Sequence, residues 1–258
     1  MNRIVHISLK VADVKRTGDF YRDVFGFQDA ETKKTRDHVS RHMSDGNIDF
    51  TMMKYDAGTK SKESKAAGEG PCIHHFAIEV ADVALATDEI RKWGCEIVSD
   101  PGVVPVKFRA PGGTVAELVP IGRYKKVATD HPVDPIVHLS LKVDDIEKAG
   151  DFYRQVFGFR DAQTRKTRDH TSRHMTDGAI DFTLMQYDAG TQSKESKAAG
   201  EGPCIHHFAI EVRDLGRATE QVKSYGSEIV SDPGVVPVKF RAPGGTIAEL
   251  VPQGRYKR

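Results

Sequence analysis

The sequence predicts an α+β protein made of four tandem units, each a strand, a helix and about three further strands (βαβββ). Three observations carry this prediction. Long segments recur at a constant offset of 132 residues, each half of the chain carries a fainter doubling of its own, and the hydrophobic period switches between two and about 3.6 residues. IVHISLKVADV at 4–14 returns as IVHLSLKVDDI at 136–146, and GDFYRDVFGF at 18–27 as GDFYRQVFGF at 150–159. SKESKAAGEGPCIHHFAIEV at 61–80 and EIVSDPGVVPVKFRAPGGT at 96–114 return unchanged at 193–212 and 228–246. We therefore expect a first domain at 1–122, a Gly-, Pro- and charge-bearing linker at 123–135, and a duplicate domain at 136–258.

The elements follow in order. HISLKVADV at 6–14 and HFAIEVADV at 75–83 share one rhythm, an alternating strand ending in an aspartate that can cap a helix. Val14, Tyr21, Val24 and Phe25 keep helical spacing over 14–25, and Gly26 suits the C-terminal cap. Leu85, Ala86, Ile90 and Trp93 do the same over 83–93, before Gly94. Strands are expected near 36–43, 47–55, 96–99, 104–109 and 114–119. Residues 56–71 are polar and read as a mobile connection with room for a lid role. The halves diverge unevenly: helix VALATDEIRKWGC at 83–95 has become LGRATEQVKSYGS at 215–227, while the flanking strands are unchanged. Such strands fit the lining of a site.

Composition narrows the function. Lys+Arg is 38 and Asp+Glu is 37, so no net field calls for nucleic acid or an anionic membrane. Cys72, Cys95 and Cys204 are odd in number and form no CxxC pair, which fits a reducing cytosol. The opening MNRIVHISLKV lacks a signal-peptide core, and no apolar run reaches membrane-spanning length. The expectation is a soluble cytoplasmic protein whose partner is a small molecule, with a homodimer possible.

Alternation places His6, Ser8 and Lys10 on one strand face, and His75, Ala77 and Glu79 on the corresponding face of the second unit. Ile7, Leu9, Phe76 and Ile78 point the other way, toward the helices. Glu117 sits between Val115 and Val119 in PGGTVAELVP, where a buried carboxylate needs a partner. A metal ion is the partner that also accounts for two histidines, since two imidazoles and a carboxylate leave open coordination positions. The second half repeats the set as His138, His207 and Glu249. The plainer alternative pairs Glu117 with Lys107 or Arg109. His74 is expected to point to the opposite face in a structural role, Cys72 to be a small packed residue, and Lys10 to pair with Glu79.

HISLKVADVKRTGDFYRDVFGF, CIHHFAIEV and PGGTVAELVP together resemble the vicinal oxygen chelate superfamily, which includes glyoxalase I, fosfomycin-resistance proteins, methylmalonyl-CoA epimerase and extradiol dioxygenases. The resemblance covers both halves. It implies that paired units curl into two curved mixed-sheet cups, each around a divalent metal such as Fe(II), Mn(II), Ni(II) or Zn(II). It assigns His6, His75 and Glu117, and likewise His138, His207 and Glu249, as ligands. Four-ligand members add a residue from the last strand of the first unit, where this chain has Asp49 and Asp181, one methylene shorter than the glutamate of glyoxalase I. Where dioxygenases carry a tyrosine near the closing glutamate, this chain has Phe108.

TRDHVSRHMSDG at 35–46 completes the expected site. His38 and His42, with His170 and His174, are candidate acid–base groups, because imidazole titrates near neutrality. Arg41 and Arg173, or Arg36, are candidates to hold an anionic substrate group. The expected activity is a metal-dependent isomerase, epimerase or lyase that chelates a small oxygenated substrate and moves a proton. The alternatives are an Fe(II) ring-cleaving dioxygenase and a binding protein that sequesters a toxic compound without turnover.

Overall fold

The structure, a computed structural model, describes residues 2–35, 37–124, 127–129 and 131–256. The first half runs β1 (Arg3–Lys10), α1 (Val14–Phe25), β2 (Gln28–Lys34), β3 (His38–Ser44), β4 (Asp49–Tyr55), α2 (Lys62–Lys65), β5 (Cys72–Val80), α3 (Val83–Lys92), β6 (Glu96–Ile97), β7 (Val106–Arg109) and β8 (Val115–Pro120). The second half repeats it as β9 (Ile136–Lys142), α4 (Ile146–Phe157), β10 (Arg160–Lys166), β11 (His170–Thr176), β12 (Asp181–Tyr187), α5 (Lys194–Lys197), β13 (Cys204–Val212), α6 (Leu215–Ser224), β14 (Glu228–Ile229), β15 (Val238–Arg241) and β16 (Ile247–Pro252). The α+β class, the duplication and the four units are as the sequence predicts.

The helix signals act where expected. Asp13 accepts from the Arg16 N–H and Asp82 from the Leu85 N–H. Gly26 closes α1 at φ 77°, a left-handed position open to glycine without strain. β2 was not foreseen. QDAETKK has no apolar alternation because it is an edge strand with almost every residue exposed. The segment at 56–71 carries α2 and is pinned rather than free. Lys10 Nζ donates to the Ser64 and Gly68 carbonyls, and Arg109 Nη2 to the Ala66 carbonyl at 3.1 Å.

Within each half the strand order is β2-β3-β4-β1-β5-β8-β7-β6, and the two halves join through β5 and β13 at Ile73 and Ile205. β1 runs antiparallel to β5, so Lys10 faces Cys72 and Arg3 faces Glu79. Lys10 and Glu79 therefore stand at opposite ends of the pair and form no ion pair. Glu79 accepts from the Gly122 N–H at 2.7 Å instead.

The cups form within a half, whereas the core forms between halves. Phe208 of β13 meets Tyr21 of α1 and Phe50 of β4, and Phe240 meets Phe20. By the same symmetry Phe76 packs on Phe182, and Trp93 and Phe108 on Phe152. A pair of buried carboxylates ties the halves further. Asp45 accepts from the backbone N–H of Ile136 at 2.7 Å as well as those of Asn47 and Ile48, and Asp177 accepts from Ile4 at 2.7 Å.

Arg41 corrects an expectation. It lies on the face of β3 turned away from the cup and is buried. Its Nε and Nη2 donate to both oxygens of Asp29 at 2.6 and 2.8 Å, and its Nη1 to Asp19 Oδ1 at 2.9 Å. A Cβ at Gly18 would stand 2.5 Å from its Nη1, so the glycine makes room for the guanidinium. Arg173 is held the same way by Asp161, Glu147 and Asp151. With every fork occupied, neither arginine is available to a substrate; Arg36 lies outside the described residues.

Two outcomes follow for stability. Asp45→Ala leaves three N–H donors without their acceptor and is expected to cost about 3 kcal/mol in urea unfolding, more than Asp45→Asn. Arg41→Lys loses the two-pronged contact and is expected to cost about 1–2 kcal/mol, with bound-metal content unchanged by elemental analysis.

Candidate metal centre

The cup is lined by residues that alternation turns away from the helices. Ile7, Leu9, Phe76, Ile78 and Leu118 enter the core, which leaves His6, His75 and Glu117 on the concave side. Ligand atoms of these three lie within 4.8 Å of one another, and so do those of His138, His207 and Glu249. The sequence-predicted triads are thus brought together, each within one half. The first cup encloses about 760 Å³ and the second about 470 Å³. Differences at the rim are few: Glu31 and Lys33 in the first become Gln163 and Arg165 in the second.

Each triad member has one polar atom held by a neighbour and one left for the cup. His6 Nδ1 donates to Asp49 Oδ1 at 2.6 Å, leaving Nε2. His75 Nδ1 lies 2.8 Å from His74 Nδ1, leaving Nε2. Glu117 Oε1 accepts from the Tyr124 hydroxyl at 2.6 Å, leaving Oε2, which is buried and makes no hydrogen bond. The second cup repeats the three contacts with Asp181, His206 and Tyr256. This donor set, with a buried carboxylate oxygen that makes no hydrogen bond beside two imidazoles, fits a divalent metal.

Charge inside the cup is balanced closely. Glu117 Oε2 stands 3.3 Å from His75 Nε2 and 3.2 Å from Lys107 Nζ. Burial pushes the Glu117 carboxyl up, but Lys107 and then His75 outweigh it and hold the group well below the usual carboxylate range. The pairing with Lys107 therefore coexists with the triad, whereas Arg109 turns to Glu96. Burial also lowers His75 to about 4, against the pull of Glu117. It raises the Tyr124 phenol, with the charge of Glu117 adding to the effect.

Asp49 stands behind the histidines and outside the ligand cluster. It accepts from His6, from His42 Nδ1 at 3.1 Å and from Thr51 Oγ1 at 2.8 Å. A carboxylate that orients a ligand histidine does not need the extra methylene a direct ligand would. His42 and His174 line their cups beside the triads, with ring centroids 6.3 Å from His6 and 6.5 Å from His138. His38 lines the first cup with its Nδ1 between Asp37 Oδ1 and Thr35 Oγ1, and His170 repeats this in the second. Cys72 is packed, and burial pushes its thiol up to about 11.

Two lining groups, Tyr124 and Ser8, and the buried His74 behind them go beyond what the sequence reading assigns. Tyr124 falls in the expected linker, yet its ring stacks on His6 at 4.2 Å and 3°. Its signal was present, since GRYK at 122–125 returns at 254–257. Ser8 shares the face of His6 and pairs with His75, and its buried hydroxyl has no partner. His74 does not stand apart on the far face as alternation implies: a β-bulge brings it onto His75. Phe108 is buried in the core, away from the cup.

Comparison with known proteins agrees with this geometry. The family model described as the Glyoxalase/Bleomycin resistance protein/Dioxygenase superfamily matches residues 3–115 and again 135–243. The chain is 26% identical over 255 residues to a probable chloroplastic lactoylglutathione lyase of Arabidopsis thaliana, spanning 91% of this chain and 67% of that protein. Its fold is similar to a mutant 4-hydroxymandelate synthase of Streptomyces coelicolor (TM-score 0.72, 18% identity, 99% of this chain and 94% of the other). It is also similar to the Mn(II)-bound glyoxalase of Novosphingobium aromaticivorans (TM-score 0.65, 16% identity, 98% and 83%). With both halves matched and both cups built from the same strands, the chain belongs to the glyoxalase/bleomycin resistance protein/dioxygenase superfamily.

Proposed function

We propose that the chain is a divalent-metal-dependent lyase or isomerase that acts on a small oxygenated substrate in each of its two cups. The observation that carries the reading is the buried Glu117 Oε2, which makes no hydrogen bond and faces His75 and Lys107 while its twin oxygen is held by Tyr124. His6, His75 and Glu117 would hold the ion, as would His138, His207 and Glu249. When bound, such an ion supplies Lewis acidity that polarises a substrate oxygen and acidifies the neighbouring C–H.

The other groups then have separate tasks. His42 Nδ1 donates to the Asp49–Thr51 pair, which leaves Nε2 to take or return a proton. Ser8 Oγ is free to donate to a substrate oxygen beside His75. Lys107 and Arg123 line the same cup and favour a substrate that carries or develops negative charge. Glu117, with Oε1 engaged by Tyr124, acts as a ligand rather than as a free base.

A second reading, an Fe(II) ring-cleaving dioxygenase, is favoured by the same two-histidine, one-carboxylate set, which suits non-haem iron. Oxygen uptake with a catechol by anaerobically iron-loaded protein separates it from cofactor-dependent isomerisation of a 2-oxoaldehyde thiol adduct. We also infer residence in the cytoplasm, from three free cysteines and no helix among the described residues long and apolar enough to cross a membrane. Cell fractionation tests that.

Elemental analysis is expected to find two ions per chain, and a chelator to abolish turnover that one kind of divalent ion restores. Full activity of the metal-free protein would defeat the reading. Glu117→Gln is expected to leave one ion per chain and about half the activity, and the Glu117→Gln/Glu249→Gln pair neither, since separated sites act additively. Replacing His42 and His174 by Gln is expected to lower kcat about 100-fold or more while metal content stays at two.

A further inference from the structure

His74 and His75 should not meet. Consecutive strand residues point to opposite faces. The bulge in β5 suspends the rule, because the register with β1 runs from Ser8–His75 to Leu9–Ile73 and skips His74. The two Nδ1 atoms then stand 2.8 Å apart, and His74 Nε2 stands 2.8 Å from the Glu63 carbonyl oxygen in α2. Both rings are buried.

Donor and acceptor rules settle the protons. A carbonyl only accepts, so His74 carries its proton on Nε2 and donates to Glu63. In the neutral ring Nδ1 is then an acceptor, and the group facing it is His75 Nδ1, which must carry the hydrogen. His75 Nε2 is left with a bare lone pair, 3.3 Å from Glu117 Oε2. Two lone pairs at that distance repel; Lys107 Nζ, 3.2 Å from the same oxygen, offsets part of this, and a cation between them would remove it. Both rings sit out of water, where an uncharged imidazole is the less costly form. The second half has the same chain from the Glu195 carbonyl through His206 to His207, with His207 Nε2 3.3 Å from Glu249 Oε2.

We propose that His74 and His206 are positioning residues that lock the neighbouring histidine in its Nδ1–H tautomer and so present a ready Nε2 to the metal. The inference rests on the metal reading above. It also gives α2 and α5 a role. Because the Glu63 carbonyl starts the relay, metal affinity depends on the helix that Lys10 and Arg109 pin beside the cup. A shift of α2 would free His74 to turn its proton inward and push that of His75 onto Nε2, where it blocks the ion. The segment expected to be a mobile connection is thereby tied into the site.

The test is a long-range ¹H–¹⁵N spectrum of the histidine side chains in the metal-free full chain, paired with titration of Mn(II). We expect Nε2–H for His74 and His206 and Nδ1–H for His75 and His207. Replacing His74 and His206 by Leu is expected to weaken Mn(II) binding about 10- to 100-fold, the usual effect of losing a group that orients a ligand. Replacing them by Gln, whose amide oxygen can accept the Nδ1–H, is expected to restore most of the affinity. Wild-type protein that takes up no Mn(II) overturns the metal reading and this inference with it. Mn(II) uptake with His75 found as Nε2–H, or unchanged affinity in the Leu variant, overturns the inference alone. Should the Leu variant fail to fold, the wild-type spectrum still decides.

Discussion

The cup depends on one constraint, applied three times: a two-headed polar side chain has one head held by a neighbour, so that the other is turned to the cup. Asp49 holds His6, His74 holds His75, and Tyr124 holds Glu117. Each held atom also repays part of the cost of burying a polar group. What remains is two imidazoles and a buried carboxylate oxygen with no hydrogen bond, gathered at the cup in an arrangement that favours a cation. Lys107 offsets part of that cost by standing 3.2 Å from Glu117, so the carboxylate is never left wholly without positive charge.

The duplicated chain divides its work along two directions. Antiparallel β1 and β5 bring the two histidine strands of one half together and make the site. The helices on their backs find partners in the other half, where Tyr21 and Phe50 enclose Phe208. Neither half closes its core alone. Asp45 and Asp177, each reaching a backbone N–H of the opposite first strand, fix the halves where those cores meet. This arrangement fits β5 and β7 being unchanged between halves while α3 and α6 differ. A helix surface tolerates substitutions that keep volume and polarity, whereas a strand that feeds both a core and a ligand set does not.

Arg41 and His74 show how local pattern and tertiary contact separate. Both lie beside histidines in short, unusual stretches, and charge or proximity alone suggests a part for Arg41 and none for His74. Alternation correctly puts Arg41 on the face opposite His42, and there Asp29 and Asp19 consume it. Alternation fails for His74 because a bulge is set by the partner strand's register, which no single strand encodes.

The sequence by itself determined the duplication, the α+β class, the capped helices and the identity of both His–His–Glu sets, because these rest on period, spacing and recurrence. It also held the signal for Tyr124, in the second appearance of GRYK. Only the tertiary structure decided that the triads gather within a half and the cores between halves, that Asp49 stands behind His6 outside the cluster, and that Lys10 and Glu79 lie apart. Those outcomes depend on strand direction, register and bulges, and pairing energies of that kind arise between segments distant in the chain.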